Sequence, residues 1–488
     1  IKEGGQELSR ETVAVQRSGV NLRIIFFLIF VVAGLLVGFL NPWAPSLSPL
    51  GHKVVMGLIF AIGLWVFKPW GIPFSVSGCL LLMICLFYGI SPNIVFAGFT
   101  SSALWVLIPA LFFGFVLVKT GLGKRLSYLV IKSFKPSYFT LILAWVVIGL
   151  LLSAATPSIA VRVAIVMPLA LSCVEVCQLE KGSKGRALIL LTAWAMALLP
   201  GTGWLTGALW GPIVMGMYNA VPGLEGVITF STWSKVALLP IEIMSVLLIV
   251  GGYFVLKPEK SISVSKEVFE EEYVKLGPMS REEKATAVIL ALCFVLFATS
   301  QIHQIPDAAT CLGALFALTA TGVIKTQDLS TGISWDLVIF VGVAMSLGTI
   351  FASAGVSEWL ASVLVPLLSP ITGNSWLFVF AMIFILFIWR FLDIAVLIPT
   401  MAILIPILPQ IATTYGIDPL VWITLFVMAG NCFFMSYQNM FALVGEAIIG
   451  DKGWTPKQIS MYGLVYLVAC IIALLVAVPY WNGLGLFN

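Results

Sequence analysis

Two arginines and one aspartate lie inside long apolar segments of the sequence, where a charge needs a partner or a water-filled cavity. Arg162 closely follows the turn residues TPS, and Arg390 lies three residues before Asp393. A guanidinium can hold a carboxylate or sulfonate through two parallel hydrogen bonds. Arg162 is therefore a candidate clamp for an anion. Alternatively, it pairs with Asp393 or extends to the cytoplasmic surface.

Asp393 is the only acid at either of the turns that carry these charges. It could titrate during proton coupling, hold a cation, or neutralise Arg390 on the same helix face. The candidates for coupling or charge pairing are therefore Asp393, Arg390, Thr400 and Asn431.

Hydroxyl and amide side chains accompany these charges where the apolar pattern is interrupted. The motifs are LLSAATPSIAVRVAIVMP (151–168), PGTGWLTGALWG (200–211), WRFLDIAVLIPTMAILIP (389–406) and GNCFFMSYQNM (430–440). Half-helices that begin at such interruptions point backbone N–H groups at an anion, and the side chains add donors. Alternatively, the hydroxyl and amide side chains hydrogen-bond to helix ends or to neighbouring helices. The predicted substrate-binding residues are Thr156, Ser158, Arg162, Thr202, Thr206, Ser436, Gln438 and Asn439.

The composition identifies an integral membrane protein. Of 488 residues, 60% are hydrophobic and only 10% are charged, and the mean hydropathy is +1.08. Soluble domains are about 25% charged, so most of this chain cannot face water. A net charge of +4 without a basic patch gives no case for nucleic acid. With two histidines, His52 and His303, at span edges, we expect neither an enzyme nor a cofactor.

The apolar runs predict an all-α polytopic protein, since a membrane span needs ~20 apolar residues. Single runs lie near 24–40, 53–68, 73–90, 103–119, 232–256, 286–300, 305–324, 336–353 and 459–482. Residues 137–178 and 374–414 are about twice that length, and we expect two re-entrant hairpins there. Residues 187–217 and 420–446 are single spans interrupted by GTGWLTG and GNCFFMSYQN. The total is about eleven transmembrane helices plus two hairpins.

The basic residues predict the orientation of these spans. Of 26 Lys and Arg, 22 fall in segments that share one side when the N-terminus is cytoplasmic. Residues 1–23 and the polar linker 257–284 are then both cytoplasmic, in what we expect to be a bacterial inner (plasma) membrane.

The two sides of the linker contain related sequences. GFVLVKTGLGKRLSYLV (114–130) and GTIFASAGVSEWLASVL (348–364) align Gly114 with Gly348 and Gly121 with Gly355, each before a hairpin and a broken span. The second copy starts after five spans, so it is inverted. We therefore divide the chain into a first half at 24–256, with its repeat at about 53–256, and a second repeat at 285–488. Inverted repeats with broken helices are typical of secondary transporters.

The motifs also resemble a known family. WVFKPWGIPFSVSGCLLL (65–82), GISPNIVFAGFTSSALWVLIPALFFGFVLVKTGLGKRL (89–126) and GISWDLVIFVGVAMSLGTIFASAGVSEWLA (332–361) are similar to the divalent anion:sodium symporters, which are related to sodium–dicarboxylate cotransporters. The resemblance implies an elevator-type transporter, a homodimer and a Ser-Asn-Thr signature at each hairpin tip. TPSIAVR (156–162) resembles the Pro-Ser-Asn-Thr-Ala-Arg version of citrate and tartrate carriers and plastid dicarboxylate translocators.

The chain departs from that signature. The first copy falls on Ser158-Ile159-Ala160, and the second falls on Val396-Leu397-Ile398, which has no polar side chain. TGALW (206–210) retains the Thr-Gly of the exchanger branch but has Trp210 near the expected Asn, while Asn439 corresponds to the Asn of the second half. The oxygen ligands that the family uses for sodium are thus largely missing, which favours exchange or proton coupling.

We therefore expect a secondary active transporter of a small organic anion, similar to a dicarboxylate or tricarboxylate or a sulfonate. An alternative on the same fold is a carrier of a zwitterionic or neutral solute, with Arg162 and Asp393 as opposite anchors. A passive channel and a membrane enzyme are the remaining alternatives.

Overall fold

The computed structural model describes residues 24–221, 226–262, 267–391, 393, 397–450 and 453–487. The predicted cytoplasmic segment 1–23 and Val396 of the second signature lie outside the described residues. Within these ranges there is no β-strand, and one isolated antiparallel bridge joins Ile417 to Phe487. The prediction of an all-α protein is confirmed.

The first half contains the helices up to residue 255. In chain order they are α1 (Ile24–Leu40), α2 (Pro49–Phe67), α3 (Phe74–Phe87), α4 (Pro92–Val95), α5 (Ser102–Thr120), α6 (Leu122–Ile131), α7 (Tyr138–Ala155), α8 (Ile159–Val176), α9 (Lys184–Leu198), α10 (Trp210–Asn219) and α11 (Phe230–Val255).

The second half follows one helix in the linker, α12 (Glu267–Val274). Its helices are α13 (Arg281–Ala298), α14 (Ser300–His303), α15 (Asp307–Ala320), α16 (Thr326–Thr331), α17 (Trp335–Ala354), α18 (Val356–Thr372), α19 (Ser375–Trp389), α20 (Ile398–Leu404), α21 (Leu408–Tyr415), α22 (Pro419–Gly430), α23 (Met440–Ile449) and α24 (Pro456–Gly483).

Eight of the described helices are long and apolar enough to cross a membrane by length and composition. They are α2, α5, α7, α8, α9 with the turn that follows it, α11, α17 and α24. The shorter apolar helices α1, α3 and α15 occupy three further predicted spans. α3 is short because Pro73 precedes its first residue and Gly89, at φ +86°, follows its end.

α7 and α8 form the first helical hairpin, and its tip is set by local chemistry. Thr156, which ends α7, has an extended backbone because the residue before a proline disfavours the helical region. Ser158 then caps α8, and its Oγ accepts from the N–H of Val161 at 3.4 Å. The tip is therefore Thr156-Pro157-Ser158.

The second hairpin has a more irregular return arm. α19 ends at Trp389, and α20 begins only after Leu397, a non-glycine residue at φ +63°. A 3₁₀ turn that includes Pro406 separates α20 from α21. The arm is interrupted there because proline lacks the N–H that a continuous helix requires.

Both predicted broken spans are broken in the structure. A 3₁₀ turn, Pro200–Gly203, follows α9, and an irregular segment leads to α10. A Cβ at Gly201 would overlap the carbonyl oxygen of Gly207, so this close approach requires glycine. In the second half, the 3₁₀ turn Ser436–Gln438 separates α22 from α23.

The two halves contact each other through the parts that follow these tips and breaks. α8, the return arm of the first hairpin, packs against α23, which follows the second break. The 3₁₀ turn in the return arm of the second hairpin packs against α10, which follows the first break. Each hairpin therefore contacts the broken span of the opposite half.

Candidate binding site

Arg162 is completely buried and is held by backbone carbonyl groups. Its Nε donates to the carbonyl oxygen of Ala197 at 2.7 Å, and its Nη1 donates to those of Thr156 at 3.1 Å and Gly207. These acceptors belong to α9, the hairpin tip and the first break. Arg162 therefore connects the first hairpin to the broken span of its own half.

One nitrogen of this guanidinium, Nη2, has no hydrogen-bond partner. Within the described part of the chain, Arg162 forms no ion pair, with Asp393 or with any other acid. The side chain is enclosed and does not extend to a surface. Nη2 is therefore the guanidinium nitrogen with unused hydrogen-bonding capacity, and it is enclosed in this conformation.

The hairpin tip places two hydroxyl groups next to Arg162. The N–H of Ser158 donates to Oγ1 of Thr156 at 3.1 Å, while Oγ of Ser158 caps α8. Thr206, in the irregular segment of the first break, lies beside Thr156 and Pro157 in the lining of one narrow cleft. This cleft has room for about one water molecule.

The other walls of the cleft come from α5, α10, α13 and α15 and are apolar. Its further lining residues are Val106, Ala110, Phe113, Ala154, Ala155, Pro212, Leu290, Cys293, Phe294, Phe297 and Cys311. A cavity of about 790 Å³ lies next to it among the ends of α5, α10, α11 and α15. Val106 lines both spaces. The cavity, which we call the vestibule, is therefore adjacent to the hairpin tip.

Thr202 is placed differently from Thr206. Its Oγ1 donates to the carbonyl of Leu199 at 2.7 Å, and its own carbonyl accepts from Nε1 of Trp233 at 3.2 Å. Thr202 is buried and is not among the residues that line the cleft. Its contacts stabilise the turn that follows α9.

The second hairpin also holds its arginine through carbonyl groups. Arg390 is completely buried, and its two terminal nitrogens donate to the carbonyl oxygens of Asp393 and Gln438. The carboxylate of Asp393 accepts from Oγ1 of Thr400 at 2.5 Å, and Thr400 accepts from Nε1 of Trp389 at 2.9 Å. Arg390 therefore connects this hairpin to the second break, as Arg162 does in the first half.

The side-chain amides of the second break form some of their hydrogen bonds with the backbone of the break itself. Oε1 of Gln438 accepts from the N–H groups of Phe434 and Met435, at 2.8 and 3.0 Å. Asn439 caps α23 and donates from Nδ2 to the carbonyl of Asn431 at 3.2 Å. Nε2 of Gln438 and both side-chain polar atoms of Asn431 are buried without a partner. Such atoms are costly unless water or a ligand satisfies them.

Glu446 is a further polar residue of this region, outside the set of predicted binding residues. It lies on α23, and its Oε1 accepts from Oγ of Ser436 and from Nε1 of Trp454 at 2.9 Å. The prediction ended the second broken span at residue 446, whereas α23 continues to Ile449. The sequence signal that identifies Glu446 is an acidic residue within an apolar run.

The structure therefore assembles the predicted residues in two groups. Thr156, Ser158, Arg162 and Thr206 surround the first hairpin tip, and Arg390, Asn431, Ser436, Gln438 and Asn439 surround the second break. α8, which begins at the first tip, packs on α23, which begins at the second break. Among the described residues there is no cluster of three or more His, Cys, Asp or Glu that could hold a metal.

The sequence and the fold both resemble those of known transporters. The sequence model described as "Sodium:sulfate symporter transmembrane region" matches residues 22–487. A membrane protein of Cupriavidus necator is 27% identical over 93% of this chain and 92% of its own. The putative malate transporter YflS of Bacillus subtilis is 23% identical over 74% and 75%. Dicarboxylate transporter 1 of Spinacia oleracea chloroplasts is 24% identical over 80% and 70%.

Among solved structures, the YdaH transporter of Alcanivorax borkumensis shares the fold, with a TM-score of 0.56 over 96% of this chain and 100% of its own. The sequence identity in that comparison is 15%, so the likeness concerns the fold alone.

Proposed function

The chain belongs to the family defined by the sodium:sulfate symporter transmembrane region, and from this premise we propose that it is a secondary active transporter of a small organic anion. The family was expected from the motifs at 65–82, 89–126 and 332–361, and the match across the chain confirms it. Two relatives are named for malate and dicarboxylate transport. We propose a substrate of the same class, a compact molecule with two carboxylates.

The observation that carries this proposal is the position of the narrow cleft beneath the vestibule. Three helices line both spaces about one turn apart. α10 contributes Met215 to the vestibule and Pro212 to the cleft. α15 contributes Asp307 to the vestibule and Cys311 to the cleft, and Val106 of α5 lines both spaces. The vestibule, at about 790 Å³, is large enough for a dicarboxylate. We infer that it is the entry route and that the cleft widens to admit the substrate.

The chemistry of the cleft favours a negative charge. Its lining contains no acidic side chain, and its polar groups are Thr156 and Thr206. The N-terminus of α8, an 18-residue helix capped by Ser158, begins at the same tip. A helix N-terminus favours an anion because its first N–H groups are unpaired and its dipole is positive there.

We assign different roles to the predicted residues within this site. Thr156 and Thr206, which line the cleft, contact the anion directly, and Ser158 caps the helix N-terminus that faces it. Arg162 positions the tip through its carbonyl contacts and offers Nη2, while Thr202 shapes the turn. From the second half, Ser436, Gln438 and Asn439 provide donors for the other end of the substrate, and the unpaired atoms of Asn431 lie beside them.

We further propose that transport follows an elevator-type motion. The hairpins, both broken spans, α11 and α24 form the moving unit. α11 packs on α24 and on both broken spans, through α9 and α22, and each hairpin packs on the broken span of its own half. The remaining spans form the scaffold and a homodimer contact. The protein lies in a bacterial inner membrane with residues 1–23 and 257–284 in the cytoplasm, and it couples transport to exchange or to protons.

The proposal is tested with purified protein in proteoliposomes that contain unlabelled malate. Uptake of radiolabelled malate should saturate and should be stimulated by malate inside, whereas a passive channel would show neither property. A thermal-shift screen with dicarboxylates, sulfonates and amino acids, with and without sodium, then identifies the substrate class. Stabilisation by amino acids alone would replace the anion proposal with the zwitterion alternative.

A further inference from the structure

We propose that Glu446 is a proton-binding site that couples anion transport to a proton gradient, and this rests on the transport function proposed above. Glu446 lies on α23, two turns beyond the second break. Its Oε1 accepts hydrogen bonds from two neutral donors, Oγ of Ser436 and Nε1 of Trp454. Ser436 belongs to the break, and Trp454 follows α23. One carboxylate oxygen therefore connects the break to the far end of the helix.

The negative charge of Glu446 has no cationic partner in the part of the chain that the structure describes. No Lys or Arg there lies within 4.0 Å of its carboxylate. The ionisable residues on elements that pack against α23 are Arg162, Cys173 and Glu175 on α8, Lys184 and Arg186 on α9, and Tyr437 in the turn. Arg162 binds carbonyl groups, and Arg186 lies 3.9 Å from Glu175. Neutral hydrogen bonds therefore stabilise this carboxylate.

The bond from Ser436 links Glu446 to the proposed anion donors. Ser436 is the first residue of the 3₁₀ turn that ends at Gln438, and Asn439 follows directly. The carbonyl of Gln438 accepts from Arg390 of the second hairpin. A proton on Glu446 weakens the bond from Ser436, because a neutral acid is a poorer acceptor than a carboxylate. Proton binding therefore changes the turn on which Gln438 and Asn439 are placed.

Coupling requires that the proton affinity of Glu446 differ between the two transport conformations. Hydrogen bonds to a carboxylate favour its charged form, whereas apolar surroundings favour its neutral form. In this conformation both donors are in place. Coupling then requires that, within the moving unit, the segment of Ser436 or that of Trp454 shift relative to α23 during transport, so that Glu446 loses a donor and gains affinity for a proton.

Asp393 is less suited to this role. Arg390, which carries a permanent charge, donates to the carbonyl of Asp393, and Thr400 donates to its carboxylate. All three residues belong to the same hairpin, whereas the two donors of Glu446 come from the segments before and after α23.

The test measures uptake of radiolabelled malate into proteoliposomes with and without an inward proton gradient. The quantity compared is the ratio of uptake with the gradient to uptake without it. For the wild type we expect a ratio of several, and for Glu446→Gln we expect a ratio of about one. Glu358→Gln, which alters an exposed acid on α18, should keep the wild-type ratio. A wild-type ratio in Glu446→Gln would overturn the proposal.

Trp454→Phe provides a second test that retains the carboxylate. Loss of one donor to the charged form should move the pH of half-maximal uptake upward. An unchanged midpoint would overturn the proposal even if Glu446→Gln fails to fold. If the wild type exchanges malate but ignores the proton gradient, the coupling proposal fails and the transport function stands. If the wild type neither moves malate nor is stabilised by any anion, the transport function itself fails.

Discussion

The indole Nε1 of Trp194 donates a hydrogen bond of 3.0 Å to the carbonyl oxygen of Phe441. Trp194 lies on α9 and Phe441 on α23, so the bond joins the broken span of the first half to that of the second. The Trp194 ring is completely buried and contacts the edge of Phe433, with 4.7 Å between the ring centroids. Helix packing and this bond together hold the two interrupted spans against each other.

Trp194→Phe should therefore destabilise the protein. The substitution leaves the carbonyl of Phe441 buried without its donor, which costs about 1–3 kcal/mol. Thermal unfolding of the purified protein in detergent should show a lower Tm. Trp105→Phe is the control, since Trp105 is 46% exposed. Equal Tm values for the two variants would contradict a structural role for the bond.

Arg162→Lys should impair transport although it conserves the charge. A lysine ammonium cannot hold the carbonyls of Ala197, Thr156 and Gly207 in the geometry of a planar guanidinium. Each lost bond to a buried carbonyl costs about 1–3 kcal/mol, so we expect a lower Tm together with an uptake rate reduced by roughly tenfold or more. Arg281→Lys, at an exposed position, is the control. Wild-type uptake by Arg162→Lys or Arg162→Ala would exclude Arg162 from the site.

The positions of the interruptions were predictable from the sequence because they depend on local chemistry. Pro157 and Ser158 end one helix and cap the next, and the glycines after Pro200 permit the close backbone approach in the first break. These effects act between residues that are close together in the chain, so they can be predicted from the sequence alone.

The partners of Arg162 were not predictable in the same way. A charge in an apolar segment indicates that a partner exists, but two of its three partners here are carbonyl groups 35 and 45 positions along the chain. Every residue has a carbonyl, so no side-chain pattern marks which one accepts. The continuation of α23 past Glu446 likewise depends on packing between the halves.

Thr206→Val should weaken substrate binding without affecting the fold. Valine has the shape of threonine but lacks the hydroxyl, which lies in the lining of the cleft. One hydrogen bond contributes about 1 kcal/mol, so KM for malate should rise by roughly fivefold. Thr319→Val serves as the control, because Thr319 is exposed on α15 and its hydroxyl donates within its own helix. An unchanged KM would remove Thr206 from the site.

Bound substrate should change the reaction of Cys311 with thiol reagents. Cys311 lines the cleft and is completely buried in this conformation, so it can react only when the cleft widens. We expect saturating malate to slow its alkylation in proteoliposomes, measured by mass spectrometry of the modified peptide. Cys79 is exposed and reports the intrinsic reactivity in the same sample. Equal slowing at both cysteines, or none at Cys311, would place the substrate elsewhere.

The linker should loosen when Arg125 is replaced. Arg125 of α6 donates to Glu283 at 2.7 Å and to the carbonyls of Gly277 and Leu276 at 2.8 and 3.2 Å. It therefore fixes the segment between α12 and α13. Because this pair is buried, removal of one partner leaves an unpaired charge, which costs about 3–5 kcal/mol. Local opening should then precede global unfolding.

Limited trypsin digestion measures that opening at Lys275, an exposed residue at the end of α12. Arg125→Gln should be cleaved there several times faster than the wild type, because a protease requires an extended, accessible backbone. Lys135→Gln, which removes an exposed charge after α6, should leave the rate unchanged. Equal cleavage of Arg125→Gln and the wild type would show that other contacts, such as that of Lys132 with the ring of Tyr273 at 3.6 Å, suffice to hold the linker.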